Sequence, residues 1–343
     1  MLVPFEKWSL PLALVTFAMI STAAIGQAPT QWHISGKFQI GGEGAWDYVI
    51  ADQHSHRLFV TRTTHTMVID GDTGKTLGDI PGQKSAHGVA LVPALQRGFI
   101  TDSAGSGTIV VFDLKTYAVL GKLTAVPDAD GIVYDAGANM VLVSAGDSGA
   151  LLAFHPDIDP NGKIGAPIEL GGKPEFLAAD GNGKAFVNLE DKDLIAVVDL
   201  KARKVLARWP VAPGGQPVGL SIDNKSHRLF IGCRNPQKLV VMNAENGKVE
   251  ASVPIGAGVD ATAFLNGQAF ASCRDGALIV AAEQQGKFGV VQTIKTPDGA
   301  RTLAVDAAAQ RIFLPTAELE PVASGRPKPK PGTFMIEIGR AHV

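Results

Sequence analysis

Cysteine is nearly absent from this 343-residue chain, and the two present, Cys233 and Cys273, exclude a disulfide framework and any all-cysteine metal site. Aromatic residues make up only 6%, too few for the stacking platforms that sugars and single-stranded nucleic acid require. No excess of either charge exists: Lys+Arg number 31 against Asp+Glu 33, a net charge of −2. Without a basic field to draw the chain onto phosphate backbones, nucleic acid is not an expected partner. The nucleophile elbow G-x-S-x-G, the P-loop, the dinucleotide fingerprint, C-x-x-C-H and H-E-x-x-H are all missing. That leaves room only for an enzyme whose site gathers single residues from distant segments. What is present, 45% hydrophobic and 19% charged residues with 39 glycines and 21 prolines, describes a globular chain too apolar for disorder.

The two ends read differently from the rest. Residues 1–26 have the pattern of a secretory leader: Lys7, an apolar run from Leu10 to Ile25, and small residues at Ala24 and Gly26 before Gln27. The run is shorter than the roughly 20 residues that span a bilayer and contains Pro11 and Ser21. Removal is therefore expected, giving a periplasmic or secreted protein with no stable membrane insertion afterwards. At the other end, residues 338–343 back-translate into a sequence resembling a read-through library adapter, and they are expected to be a non-native tail outside the fold.

Between the ends one unit recurs. Segments starting at Trp46, His87, Asp130, Pro174, Pro217, Val259 and Ala300 are spaced 41 to 44 residues apart. Each opens with an apolar run such as Val89-Ala90-Leu91, passes a polar turn, and continues through strands such as Leu58-Phe59-Val60-Thr61. Four short strands per unit of this length predict an all-β fold, a seven-bladed β-propeller spanning residues 33–337 as one domain. The last unit lacks a fourth strand, and residues 33–40 match the fourth strands of other units. The N-terminal strand is therefore expected to close the last blade and remove an open edge.

These residues resemble the YVTN-repeat (YncE-like) propellers of exported bacterial proteins. The signature tetrapeptide stands at Phe59-Val60-Thr61-Arg62, with Phe99-Ile100-Thr101-Asp102 and Phe186-Val187-Asn188-Leu189 as divergent copies. A companion run into Asp, then Thr, Gly or Lys, stands at residues 68–77, 111–120 and 197–206. Gly-Gly-x-Pro turns stand at residues 171–174 and 214–217. The resemblance implies a fold and a binding scaffold, since members share no single chemistry.

A propeller's first strands line its central channel, and here their starts are polar: Asp47 beside Trp46, His87, Asp130, Glu175, Asp260 and Arg301. Loops on the same rim add Arg62, His65, Asp102, Asp147, Glu190, Arg234 and Arg274. Side chains alternate along a strand, so the sequence leaves open whether Trp46 or Asp47 faces the channel. Three readings compete. These groups pair with one another at a wet rim. Or Arg62, Arg234 and Arg274 grip a carboxylate or phosphate. Or His87 with Asp130, Glu175 or Asp260 holds a divalent metal, a reading that depends on parity, so no metal site and no cofactor is assigned.

His54 and His56 fall in a turn on the opposite rim and read as solvated. Cys233 and Cys273 occupy the same place in consecutive units and are expected as two buried thiols, with Arg234 and Arg274 as neighbours able to activate them. The basic, proline-rich residues 324–332 read as an exposed loop or a partner contact. The expected function is an exported, non-enzymatic scaffold binding a small anionic ligand or a protein partner at its polar rim. The alternatives are a lactonase-like hydrolase, with His87 or Glu175 as base and a rim arginine against the oxyanion, and a structural cell-surface protein.

Overall fold

The computed structural model describes residues 29–322, 325 and 327–342, with Met1 and Pro4. The leader expected over residues 1–26 therefore lies outside the described residues, apart from Met1 and Pro4, as do Ser324 and Arg326 of the proline-rich loop.

Seven four-stranded antiparallel sheets form a seven-bladed β-propeller. Blade 1 begins at Val49–Ala51, blade 2 at Ala86–Val92, blade 3 at Ala129–Asp135 and blade 4 at Pro174–Ala179. Blades 5, 6 and 7 begin at Pro217–Asp223, Val259–Leu265 and Ala304–Asp306. Second and third strands are buried almost throughout, as in Arg97–Asp102 and Thr108–Asp113, because both faces of each sheet pack against neighbouring blades. Fourth strands alternate exposed and half-buried, as in Lys204–Pro210, since their outer face meets solvent.

Closure follows the expected route. The N-terminal strand Trp32–Gln39 pairs antiparallel with Met335–Ala341 and completes the sheet of Ala304–Asp306 and Arg311–Thr316. Trp32 locks it from both sides of its peptide. Its N–H donates to Gln292 Oε1 at 2.9 Å, its carbonyl accepts from Gln292 Nε2 at 2.6 Å, and its indole N–H donates to Gln268 Oε1 at 2.8 Å. The indole meets Phe270 edge-on at 5.2 Å, inside the cluster that joins blades 6 and 7. The strand boundary at residue 337 needs correction, because Ile338, Gly339, Arg340 and Ala341 continue the ladder against Gly36, Ile34, His33 and Trp32.

A recurring irregularity sets up the channel mouth. The register of the first strand slips by one residue between Ala86 and Val89, Ala129 and Ile132, Pro174 and Leu177, Pro217 and Gly219, and Val259 and Ala261. Each slip is a β-bulge, which re-aims a side chain and takes a backbone group out of the ladder. The third residue of the signature tetrapeptide in one blade satisfies that group in the next. Thr61 donates to the His87 carbonyl at 2.7 Å, Thr101 to Asp130 at 2.5 Å, and Asn188 to Val218 at 2.7 Å.

Two stability measurements follow. Trp32→Ala is expected to lower the unfolding free energy in a urea titration by about 3–5 kcal/mol, the usual loss for a large buried aromatic; a change within error would mean that the closing strand is not held there. Thr101→Val keeps the shape but orphans the Asp130 carbonyl, and is expected to cost about 1–3 kcal/mol in the same titration.

Candidate functional site

The five bulges each place one side chain at the mouth of the channel, His87, Asp130, Glu175, Val218 and Asp260, and Asp47 and Arg301 join them from just ahead of the first strands of blades 1 and 7. Parity resolves in favour of Asp47, because Trp46 is buried in the cluster between blades 7 and 1. Blade 5 contributes an apolar Val218 at this position, and Arg234 from its second strand reaches into the gap.

The ring has two unlike arcs. Asp260 is the hub of the first. Its Oδ2 lies 2.5 Å from Arg301 Nε and 3.4 Å from Arg274 Nη2, and its Oδ1 pairs with Arg234 Nη2. Arg234 also reaches Glu190 at 3.2 Å, and its Nε donates to the Val259 carbonyl at 3.1 Å. Arg301 Nη2 donates to the Trp46 carbonyl at 2.9 Å and to Asp47 Oδ1 at 3.2 Å.

The second arc is short of cations. His87 Nδ1 lies 2.6 Å from Asp47 Oδ2 and 3.4 Å from Asp130 Oδ1. Burial opposes the imidazolium, but Asp47 and Asp130 outweigh it and raise the His87 pKa to about 9. Burial lifts Asp130 to about 7 despite His87, with Asp47 adding to the rise. Glu175 is lifted to about 8 by burial, then by Asp130 and by a hydrogen bond shared with Glu190, against the pull of Arg234. Beneath them sits Tyr48, whose pKa is pushed well up by burial and then by Asp130, Asp47, Asp260 and Glu175. Its ring packs 4.9 Å from Phe176 of blade 4. Blades 1 and 4 are not neighbours, so this contact crosses the channel and floors the mouth.

Several expected site residues take other roles. Arg62 is not at the mouth. Its guanidinium lies 3.8 Å over the Phe334 ring and donates to the carbonyls of Gly41, Glu43, Gly44 and Ala45, fastening the turn between the closing strand and blade 1. Burial brings its pKa down to about 10. Asp102 accepts the N–H groups of Lys84 and Ser85 at 3.0 and 2.8 Å and holds an inter-blade turn. His87 keeps company with Asp47 and Asp130, whose ligand atoms with its own lie within 4.8 Å of one another; Glu175 and Asp260 are outside that group. His56 is tied by Nδ1 to Asp306 Oδ2 at 2.5 Å, while His54 is exposed with its Nδ1 3.8 Å from Asp52 Oδ1. Cys233 and Cys273 are free and buried, and burial pushes both thiols up to about 12, which removes them as reactive thiolates.

Sequence reasoning missed Tyr48, Phe176 and Ser103. Ser103 Oγ lies 2.9 Å from His87 Nε2. It also missed a pocket of about 620 Å³ on the rim beside Arg301. Ala45, Trp46, Arg274, Asp275, Asp298 and Gly299 line it, and Leu319, Pro321, Pro327 and Pro329 of the insertion in blade 7 form its outer wall. That insertion carries a small two-stranded flap, Leu319–Glu320 against Lys328–Pro329. On the other side of the Tyr48–Phe176 floor the channel widens into a cavity of about 580 Å³, lined largely by apolar first-strand residues including Val49, Leu177, Leu220 and Leu303.

No protein-family model and no curated protein matches this sequence. Solved structures do. The WD40 β-propeller domain of Doa1 superposes with a TM-score of 0.70 at 12% identity, covering 90% of this chain and 96% of that one. A chain of Kuenenia stuttgartiensis hydrazine synthase superposes with a TM-score of 0.67 at 10% identity, covering 84% of this chain and 95% of that one. At such identities the likeness is one of fold.

The raised carboxylates give stability a pH dependence. Folded Glu175 holds its proton up to about 8, whereas an unfolded glutamate releases it near 4.5. Between those values the folded state binds more protons, so stability falls as pH rises through the window and levels off above it. Urea midpoints measured at pH 5, 7 and 9 are expected to fall in sequence, and Glu175→Gln is expected to flatten the drop between pH 5 and 7.

Proposed function

We propose that this propeller is a binding scaffold that takes a small organic anion in the rim pocket between Trp46, Arg274, Arg301 and the blade 7 flap. The observation that carries the reading is the state of Arg301. Its Nε and Nη2 are committed to Asp260, Trp46 and Asp47, and Nη1 has no protein acceptor among the described residues. Its guanidinium lies 5.5 Å from the Trp46 ring, in a pocket whose outer wall is a leucine and three prolines and whose lining also includes Asp275 and Asp298. Such a site suits a ligand with one carboxylate or phosphate on a flat or apolar body, gripped at one end and packed at the other.

The chain's resemblance to YVTN-repeat propellers and the leader-like residues 1–26 support an exported, periplasmic or secreted setting for this activity. The same rim would face a protein partner, and the flap with Pro327 and Pro329 would form part of that surface.

Titration calorimetry of the full chain against aromatic and aliphatic carboxylates and phosphate monoesters tests the proposal. Saturable binding is expected, weakened about tenfold or more by Arg301→Gln, in keeping with one lost charge-assisted hydrogen bond. No heat from any anion, or equal affinity in the variant, would sink the anion reading and transfer the rim to a protein partner.

A further inference from the structure

His87 stands between two groups that the binding reading does not use. Its Nδ1 lies 2.6 Å from Asp47 Oδ2 and its Nε2 lies 2.9 Å from Ser103 Oγ. A carboxylate only accepts, so Nδ1 carries the hydrogen, and in the neutral ring Nε2 then turns its lone pair to the serine hydroxyl. Nucleophile, base and orienter are thus in hydrogen-bond reach in the order that acyl transfer needs. We propose that Ser103, His87 and Asp47 form a catalytic triad, and that the protein hydrolyses carboxylic esters through an acyl-Ser103 intermediate. This goes beyond the binding function and does not depend on it.

The three positions are fixed by features already described. Asp47 stands just ahead of the first strand of blade 1, its N–H donating to the Thr61 carbonyl at 3.2 Å, and His87 is the bulge residue of blade 2, whose carbonyl the Thr61 hydroxyl holds. Asp47 is oriented from behind, its Oδ1 accepting from Arg301 at 3.2 Å. Ser103 follows the second strand of blade 2, its N–H donating to the Ser85 carbonyl at 2.9 Å. Asp102 anchors the loop from both ends, taking the N–H groups of Ser85 and Ala104 on one oxygen, at 2.8 and 3.3 Å. Ser103 Oγ donates to the Ser85 hydroxyl at 3.0 Å, and Ser85 Oγ lies 3.3 Å from His87 Nε2, so a second hydroxyl stands beside the reacting atom. His87, Asp47 and Ser103 are all partly exposed at the mouth, where a substrate can arrive.

In the reaction Ser103 Oγ adds to the ester carbonyl carbon while its proton passes to His87 Nε2. The carbon–oxygen bond to the alcohol then breaks, and the departing alkoxide takes that proton. Water, deprotonated by the same nitrogen, attacks the acyl-serine, releases the carboxylic acid and restores the hydroxyl. One ester and one water give one acid and one alcohol.

The groups facing His87 are Asp47 from blade 1 and Asp130 and Asp128 from blade 3, with Arg301 of blade 7 reached through Asp47. Three carboxylates against one guanidinium favour the imidazolium, so the base form, and with it the rate, belongs to alkaline pH.

The test uses the full chain in EDTA, with p-nitrophenyl acetate as substrate and a fluorophosphonate as covalent probe read by intact mass. Expected are one phosphonyl adduct, mapped to Ser103, and hydrolysis that increases from pH 7 to 10. Ser103→Ala, checked for an unchanged melting temperature, is expected to lose the adduct and at least about 100-fold in rate. Asp130→Asn is expected to shift the rise in rate to lower pH, a change that a merely structural histidine would not produce. No adduct, an adduct that persists in Ser103→Ala, or hydrolysis that appears only when zinc replaces EDTA would each overturn the triad.

Discussion

The bond from one blade's second strand to the freed carbonyl in the next blade's first strand is the contact on which this molecule turns. A bulge lifts that carbonyl out of its own ladder, and a buried carbonyl without a donor is costly. Thr61, Thr101 and Asn188 supply the donor from the neighbouring blade. Ser272 donates to the Ala300 carbonyl, ahead of the first strand of blade 7, at 2.8 Å, and Thr302, just ahead of that same strand, donates to the Asp47 carbonyl of blade 1 at 2.7 Å. Where blade 5 has Gly232, which has no donor to offer, Arg234 turns its Nε to Val259 instead. Blade packing and the aim of these mouth residues are therefore one event, since the bulge that needs the bond also re-aims His87 and Asp130.

One residue deeper, size replaces charge. The position after each ring residue is Tyr48, Gly88, Gly131, Phe176, Gly219, Ala261 and Thr302. The small members are required by the approach of adjacent first strands. A methyl group on Gly88 would stand 2.7 Å from Ile132 and 3.0 Å from the Asp130 carbonyl, and one on Gly219 would stand 2.9 Å from the backbone of Ala261 and Thr262. Five small residues leave room on the axis, and two aromatics from blades 1 and 4 fill it. The plug gives the mouth an apolar floor, which removes water from beneath the carboxylates and strengthens every charge interaction above it.

The propeller was legible in the sequence because its signals are periodic: seven apolar strand starts, repeated turns, and an N-terminal segment shaped like a missing fourth strand. The ring of polar first-strand residues was legible for the same reason. What a repeat cannot show is an exception to it. Arg62 occupies a rim position by alignment, yet the glycine-rich turn of residues 41–45 folds over its guanidinium and takes it out of solvent. The choice between Trp46 and Asp47 turned on which of the two packs between blades 7 and 1, and alternation along a strand allows either parity until that packing is seen. Ser103 carries no local motif, and its partners stand 16 and 56 positions away along the chain. The extension of the last strand to Ala341 follows from backbone pairing, which does not depend on the side chains that made those residues look foreign.

The charge distribution divides the labour of the mouth. Arg234, Arg274 and Arg301 gather around Asp260 on one side, so the guanidiniums are held in place by a carboxylate that they share. On the other side Asp47 and Asp130 crowd His87, and Glu175 faces Asp130 and Glu190, so burial and mutual repulsion hold protons on Asp130 and Glu175. The first arrangement fixes cations for recognition, and the second keeps groups near the point of proton exchange. Asp47 joins them. One of its oxygens accepts from Arg301 and the other lies 2.6 Å from His87 Nδ1. A charge that changes on either arc is therefore felt on the other through a single carboxylate, which would give the anion binding proposed for the rim pocket a direct electrostatic line to the imidazole.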